Sequence, residues 1–194
     1  MPKKCSVKPL VQGSLDGLCG LYAIVNAAKY LFPKDNIDLE RLFHFLIDTI
    51  DNQHNLNLST VLKGGLGTKN LKILLNAVIR EYIMHDERLL DFSIYKNNLD
   101  TRRIDHAVEE MKNFLHEPNA PRRIIITGLD GVINHWTCIT AIKEKTIYFL
   151  DGESKVCNID DFHITSENGR QCSEGYYIYY NNVLFLEAVR KHVS

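Results

Sequence analysis

The chain has 194 residues, 45% of them apolar and 24% charged, which fits one globular domain with a real core. A formal net charge of −1 argues against a nucleic-acid binder that works by neutralising phosphates, and no stretch approaches the roughly 20 apolar residues needed to span a bilayer. The basic pairs Lys3-Lys4, Arg102-Arg103 and Arg122-Arg123 are short and read as solvated surface. The opening Met1-Pro2-Lys3-Lys4-Cys5 leads into Ser6-Val7-Lys8-Pro9 without an apolar secretory core. Five cysteines, at 5, 19, 138, 157 and 172, follow no framework spacing. Reduced thiols in a cytoplasmic setting are expected, and export by a signal-independent route, as for an effector, is compatible with the same sequence.

In chain order, the first predicted helix runs from Leu18 to Phe32, with Leu21, Ile24, Val25 and Ala28 as its apolar stripe and Pro33 beyond its end. Asp38 is a good N-cap for a second, through about Ile50, with Leu39, Leu42, Phe43, Leu46 and Ile47 on one face. Asp51 to Gly67, polar and then glycine-rich, reads as a long loop. Thr68 caps a third helix carrying Leu71, Leu74, Leu75, Val78, Ile79 and Tyr82. A short strand is expected over 89–95, and a fourth helix starts at Asp100 or Thr101, with Ile104, Val108, Met111 and Leu115 inward.

Residues 117–121, Glu-Pro-Asn-Ala-Pro, form a connector that a helix cannot cross easily. Strands follow at 123–128, 135–143, 146–151, 176–180 and 183–189, with Asn181-Asn182 as a two-residue hairpin turn. The expected architecture is α+β, a single domain with a mainly helical lobe over 1–116 and a β-rich lobe over 122–194.

Chemistry concentrates at Gln12-Gly13-Ser14-Leu15-Asp16-Gly17-Leu18-Cys19-Gly20-Leu21. A thiol where a glycine-rich turn becomes a helix feels the positive end of the helix dipole, which favours the nucleophilic thiolate. Gly17 and Gly20 permit a sharp turn and close backbone approach, so that a carbonyl can reach the sulfur and the Cys19 amide. Gln is scarce, found only at 12, 53 and 171, and Gln12 with the Cys19 N–H makes a two-donor oxyanion site. His135 is the candidate base and Asp151 its orienter.

Whether His135 meets Asp151 depends on hairpin register, because strand side chains alternate faces. With a three-residue loop, Lys143-Glu144-Lys145, Ile142 opposes Thr146. Asp151 then opposes Thr137, diagonal to His135 at roughly 7–8 Å between α-carbons. A two-residue loop sends the two side chains to opposite faces. The pair therefore requires an odd loop or a bulge.

Other features read as structural. Trp136, the only Trp, is a core aromatic, and Asp16 a turn residue in Asp-Gly. The cluster Lys63-Gly64-Gly65-Leu66-Gly67 lacks P-loop spacing and reads as a plain loop or a wall of the cleft. Neither His135-x-x-Cys138 nor Asp105, His106 and His163 make a metal-ligand set, so no metal or cofactor is expected. Phe43, Phe45 and Tyr176 to Tyr180 fit core packing at least as well as partner binding.

With Gln12, Cys19, His135 and Asp151 in that order, the chain resembles the broad papain-like cysteine peptidase superfamily, closer to its bacterial and effector branches than to papain itself. The segments that carry the likeness are Gly17-Leu18-Cys19-Gly20 opening a helix, 134–139 (Asn-His-Trp-Thr-Cys-Ile) and 148–152 (Tyr-Phe-Leu-Asp-Gly). The flanks of Cys19 depart from the papain/cathepsin signature. The resemblance implies a helical lobe bearing the nucleophile and a sheet lobe bearing His and Asp, acting on a protein or peptide. A hydrolase of peptide, isopeptide or glutamine side-chain amides is the first expectation. A deamidase or acyl transferase of the same core, and a silent interaction module, are the alternatives.

Overall fold

A computed structural model describes residues 7–12, 17–34, 37–53, 56–82, 90–95, 99, 103–131, 133–151, 156–165 and 175–190. Four helices come first: α1 (Cys19–Leu31), α2 (Leu39–Asn52), α3 (Leu58–Gly64) and α4 (Thr68–Ala77), the last running into a π-helical turn at Val78–Tyr82. Then follow β1 (Leu90–Tyr95), α5 (Ile104–His116), β2 (Arg123–Gly131), β3 (His135–Lys143), β4 (Thr146–Phe149), β5 (Val156–Asn158), β6 (Phe162–Thr165), β7 (Tyr176–Tyr179) and β8 (Val183–Arg190). The fold is mixed helix and sheet, as the α+β expectation required.

The main path of the sheet is β1-β8-β2-β3-β4-β5, antiparallel throughout, and β7 joins the far end of β2 and pairs in parallel with β6. Alternation along the central strands feeds two cores. Ile124, Ile126, Cys138, Leu184 and Leu186 face α1, α2 and α4, with Leu21, Val25, Leu46 and Leu74 opposite them. Ile125, Ile139, Val183 and Phe185 face α5, where Val108 and Met111 cover them. The 1–116 segment therefore spreads over both faces of the sheet and supplies its edge strand β1, which pairs with β8 through six residues. α1 lies on β2 and β3, so the helix that opens at Cys19, the strand that opens at His135 and Leu150, next to Asp151, share one core.

Local chemistry explains most element ends. Asp38 accepts the Arg41 N–H at 3.0 Å and starts α2, as expected. The expected loop over 51–67 instead contains α3. Its N-cap is Asn57, which accepts the Thr60 N–H at 3.3 Å, and Gly65 follows its end with φ 73°. The cap of α4 is Gly67, not Thr68, and the Thr68 hydroxyl donates instead to the side-chain oxygen of Asn182. Asn181-Asn182 is not a hairpin turn. Tyr180–Asn182 forms a 3₁₀ corner from which β7 and β8 leave for different partners on β2. The expected strand over 146–151 ends at Phe149, and β5 and β6 were not anticipated. Asp16 and the proposed starts of the fourth helix, Asp100 and Thr101, lie outside the described residues.

Candidate functional site

Cys19 is the first residue of α1 and 8% exposed. The first hydrogen bonds of the helix run from the Leu21 and Tyr22 N–H groups to the Leu18 carbonyl, at 2.9 and 3.1 Å. The Cys19 and Gly20 amides precede them and carry the positive end of the helix.

Gly17 and Gly20 are both closely approached by neighbouring atoms. A β-carbon at Gly17 would lie 2.5 Å from the Val61 carbonyl oxygen and 2.7 Å from the Gly65 nitrogen. One at Gly20 would meet the Leu66 and Leu71 side chains at 2.9 and 3.1 Å. The room that the two residues leave is filled by the end of α3 and Gly65 and by the Leu66 and Leu71 side chains. The Gly17 N–H donates to the Leu62 carbonyl at 2.8 Å, which ties the turn before Cys19 to α3.

The glycine-rich stretch after α3 is likewise fixed. Leu66 is buried, and its carbonyl accepts the Trp136 indole N–H at 2.6 Å. Trp136 is a core aromatic, as expected, and it locks β3 against the loop that also braces α1.

The β3–β4 turn is Glu144-Lys145, a two-residue loop, since Lys143 pairs with Thr146. That register continues through Ile142↔Ile147 and Ala141↔Tyr148 and would put His135 and Asp151 on opposite faces. A bulge intervenes: the next pair is Ile139↔Phe149, which leaves Thr140 as the extra residue. The Thr140 hydroxyl donates to the Tyr148 carbonyl at 3.3 Å where the ladder breaks. Beyond it the Leu150 N–H donates to the Cys138 carbonyl at 2.7 Å. The loop is even and the bulge restores the parity, so His135 and Asp151 meet.

His135 Nε2 lies 2.8 Å from Asp151 Oδ2, with each side chain 24% exposed. The imidazolium donates hydrogen bonds to Asp151, first, and to Cys19, second, which hold it in the charged form, and burial only partly opposes them. Its pKa is raised from 6.5 to about 9, so the ring is protonated at neutral pH. With Nε2 committed to Asp151, Nδ1 is the nitrogen left for the sulfur. Cys19, His135 and Asp151 therefore form one electrostatic unit.

Gln12 shares a crevice with Tyr22, Asn26, His135, Trp136 and Asp151. It belongs to residues 7–12, which have no regular structure and are tied to α1 at Leu10. Asn26 is a residue the sequence reading missed: its side chain holds the Leu10 backbone by two hydrogen bonds. An asparagine within an apolar helical stripe, seven residues after Cys19, was the available signal.

The other described thiols lie in different surroundings. Cys138 is fully buried, which pushes its thiol up, and its sulfur donates to the Ala23 carbonyl at 3.3 Å. Burial pushes Cys157 up to about 12. Cys5 and Cys172 lie outside the described residues. Among the described residues no group of His, Cys, Asp and Glu is arranged to hold a metal ion, and no helix is long and apolar enough to cross a membrane. No protein-family model matches the chain, and no curated protein matches its sequence.

Proposed function

We propose that the protein is a cysteine hydrolase of papain-like arrangement that cleaves an amide bond in a protein or peptide through a thioester on Cys19. The observation that carries this reading is the His135–Asp151 contact of 2.8 Å, on an imidazole that Asp151 and Cys19 together hold at about 9. A structural histidine has no need of both partners. A thiol paired with an imidazolium at a helix N-terminus is the arrangement that makes sulfur a nucleophile at neutral pH.

In this reaction the Cys19 sulfur attacks the carbonyl carbon, and the oxyanion accepts hydrogen bonds from the Cys19 N–H and the Gln12 amide. His135 gives its proton to the leaving amine as the C–N bond breaks, which leaves a thioester and a neutral imidazole. Water then attacks the thioester, with its proton passing to His135, and the acid departs as sulfur leaves as thiolate, which restores the thiolate–imidazolium pair. Asp151 holds the ring in the tautomer that directs Nδ1 at the sulfur throughout.

A backbone peptide, an isopeptide and a glutamine side chain all present the bond this chemistry needs. A peptide or isopeptide substrate is placed first, and ammonia release without cleavage would identify a deamidase.

The test is iodoacetamide labelling from pH 5 to 9, with the modified cysteine mapped in wild type and His135→Ala. The expected result is selective modification of Cys19 well below the free-thiol pKa of about 8.5, lost in the variant. If Cys19 labels only as an ordinary thiol, the hydrolase reading fails and an interaction module takes its place.

A further inference from the structure

The side chain of Asn26 is spent entirely on one residue of another segment. The Leu10 N–H donates to Asn26 Oδ1 at 2.7 Å, and Asn26 Nδ2 donates to the Leu10 carbonyl at 3.1 Å. The amide thus takes the place of a neighbouring strand and satisfies both backbone groups of Leu10 across sixteen positions of sequence. Asn26 is 4% exposed. In the middle of an apolar helix an amide costs helix propensity and desolvation that a leucine or alanine would not, so its presence calls for a reason.

Position supplies that reason. Asn26 is seven residues beyond Cys19 on α1, close to two full turns, so the two lie on one face of the helix. The segment that Asn26 grips therefore runs along the face that carries the nucleophile. Gln12 is two residues past the grip and lies in the same crevice as Asn26, His135 and Asp151. On the other side of residues 13–16 the chain is tied again, by the Gly17 N–H to the Leu62 carbonyl at 2.8 Å. Leu10 and Gly17 are thus each fixed by hydrogen bonds, and the anchor at Leu10 is a side chain of the helix that opens at Cys19.

We infer that Asn26 is a positioning residue: by clamping the Leu10 backbone it sets Gln12 over the N-terminus of α1 as the oxyanion donor. The inference rests on the hydrolase reading above and assigns it a further residue, one that never touches substrate. An oxyanion donor acts only if it is held where charge develops, so loosening the strap costs what removing the donor costs.

Two reagents separate this role from a structural one. p-Nitrophenyl acetate acylates Cys19 through a tetrahedral oxyanion and releases p-nitrophenolate. Iodoacetamide alkylates the same sulfur by displacing iodide from a saturated carbon, where no oxyanion forms. Both rates are measured in wild type, Gln12→Ala, Asn26→Ala and the double variant. Leu10→Pro is added as a second approach, because it removes the N–H of the clamp without changing a helix residue.

The expected result is a fall of about 100-fold or more in acylation for Gln12→Ala, Asn26→Ala and Leu10→Pro alike. Alkylation should stay within about twofold, and the double variant should be no slower than the slower single one. Equal loss of acylation and alkylation in Asn26→Ala and Leu10→Pro would make the clamp merely structural and overturn the inference. So would multiplicative losses in the double variant, or unchanged acylation in Gln12→Ala while alkylation stays fast; the nucleophile reading survives both. If wild-type Cys19 alkylates no faster than a free thiol, the hydrolase reading itself fails and takes this inference with it.

Discussion

The two ends of the β3–β4 hairpin are built on different registers. At the turn end, Lys143 pairs with Thr146 and Ala141 with Tyr148 around a two-residue loop, and His116 of α5 donates to the Ile142 carbonyl at 3.0 Å. At the open end, past Thr140, the pairing moves by one residue to Ile139↔Phe149, and His135 finds Asp151. The turn end thus joins two strands, while the open end aims two side chains. A single extra residue decides between a His–Asp pair and two side chains facing apart, because strand faces alternate with a period of two. The hydrolase proposal puts its chemistry at the open end, and the predictions below try to break that assignment, from the largest effect to the smallest.

If the open end serves Cys19, removing the sulfur removes all chemistry. Cys19→Ala should lower hydrolysis of p-nitrophenyl acetate by about 10⁴-fold or more, to the solution background. The melting temperature should change little, because only one sulfur atom leaves a core site. His135→Ala tests the same unit from the other side. At pH 6 an unassisted thiol of pKa about 8.5 is roughly 0.3% ionised, so Cys19 alkylation should fall about 10²-fold in that variant. A His135→Ala protein that still alkylates at the wild-type rate would leave the open end without a function.

Asp151→Asn separates aiming from mere proximity. The His135 ring should titrate near 9 in wild type, read by NMR of its Cε1 proton, and shift towards 6.5 in the variant. The sign for stability follows. The folded-state value lies above the unfolded one, so the His135 contribution is complete below about 6.5 and lost as pH rises through about 9. Wild type should therefore lose stability over that window more steeply than Asp151→Asn. Parallel pH profiles would show that Asp151 does not hold the imidazolium.

Much of this was legible in sequence, and the failures have identifiable causes. The helix that opens at Cys19, the Asp38 cap and β3 all rest on local signals: an apolar stripe, a capping carboxylate and a run of β-formers. The requirement for an odd loop or a bulge was also legible, because parity is a property of alternation alone. Which of the two occurs was not, since Thr140 has no signature that marks a bulge. The α3 helix was missed because seven residues carry too little periodicity, although Asn57 and Gly65 bracket it. The corner at Tyr180–Asn182 was misread because Asn-Asn suits a hairpin turn locally, while β2 offers separate partners to β7 and β8. Of the candidate site, Cys19, His135 and Asp151, which interact in the fold, were picked out from their order and setting. Asn26 was not, because its partner is a backbone that no pattern identifies.

The two glycines that bracket Cys19 sharpen the contrast from the helix side. At Gly17 a methyl group meets backbone atoms of Val61 and Gly65, which cannot move aside. Gly17→Ala should destabilise the protein by about 2–3 kcal/mol in urea unfolding and slow Cys19 alkylation as its turn shifts. At Gly20 the nearest atoms are the ends of two leucine side chains, and alanine gains about 1 kcal/mol of helix propensity. Gly20→Ala should therefore stay within about 1 kcal/mol of wild type. Equal costs at the two positions would contradict the view that α3 braces the start of α1 through Gly17.

The smallest effect is expected at the turn itself. Glu144 has φ 50°, a left-handed conformation that a side chain bears at a cost of roughly 1 kcal/mol, and it is exposed. Glu144→Gly relieves that strain but gives the unfolded chain more freedom, so the net gain should be only about 0.5 kcal/mol. The informative part is what stays constant. The turn and the His–Asp pair are separated by the bulge, and Trp136 and the Leu150–Cys138 hydrogen bond fix the open end without reference to the loop. The His135 titration and the Cys19 alkylation rate should therefore match wild type while the urea midpoint rises slightly. Movement of the His135 midpoint in Glu144→Gly would mean that the turn sets the register at both ends and that the bulge merely follows it.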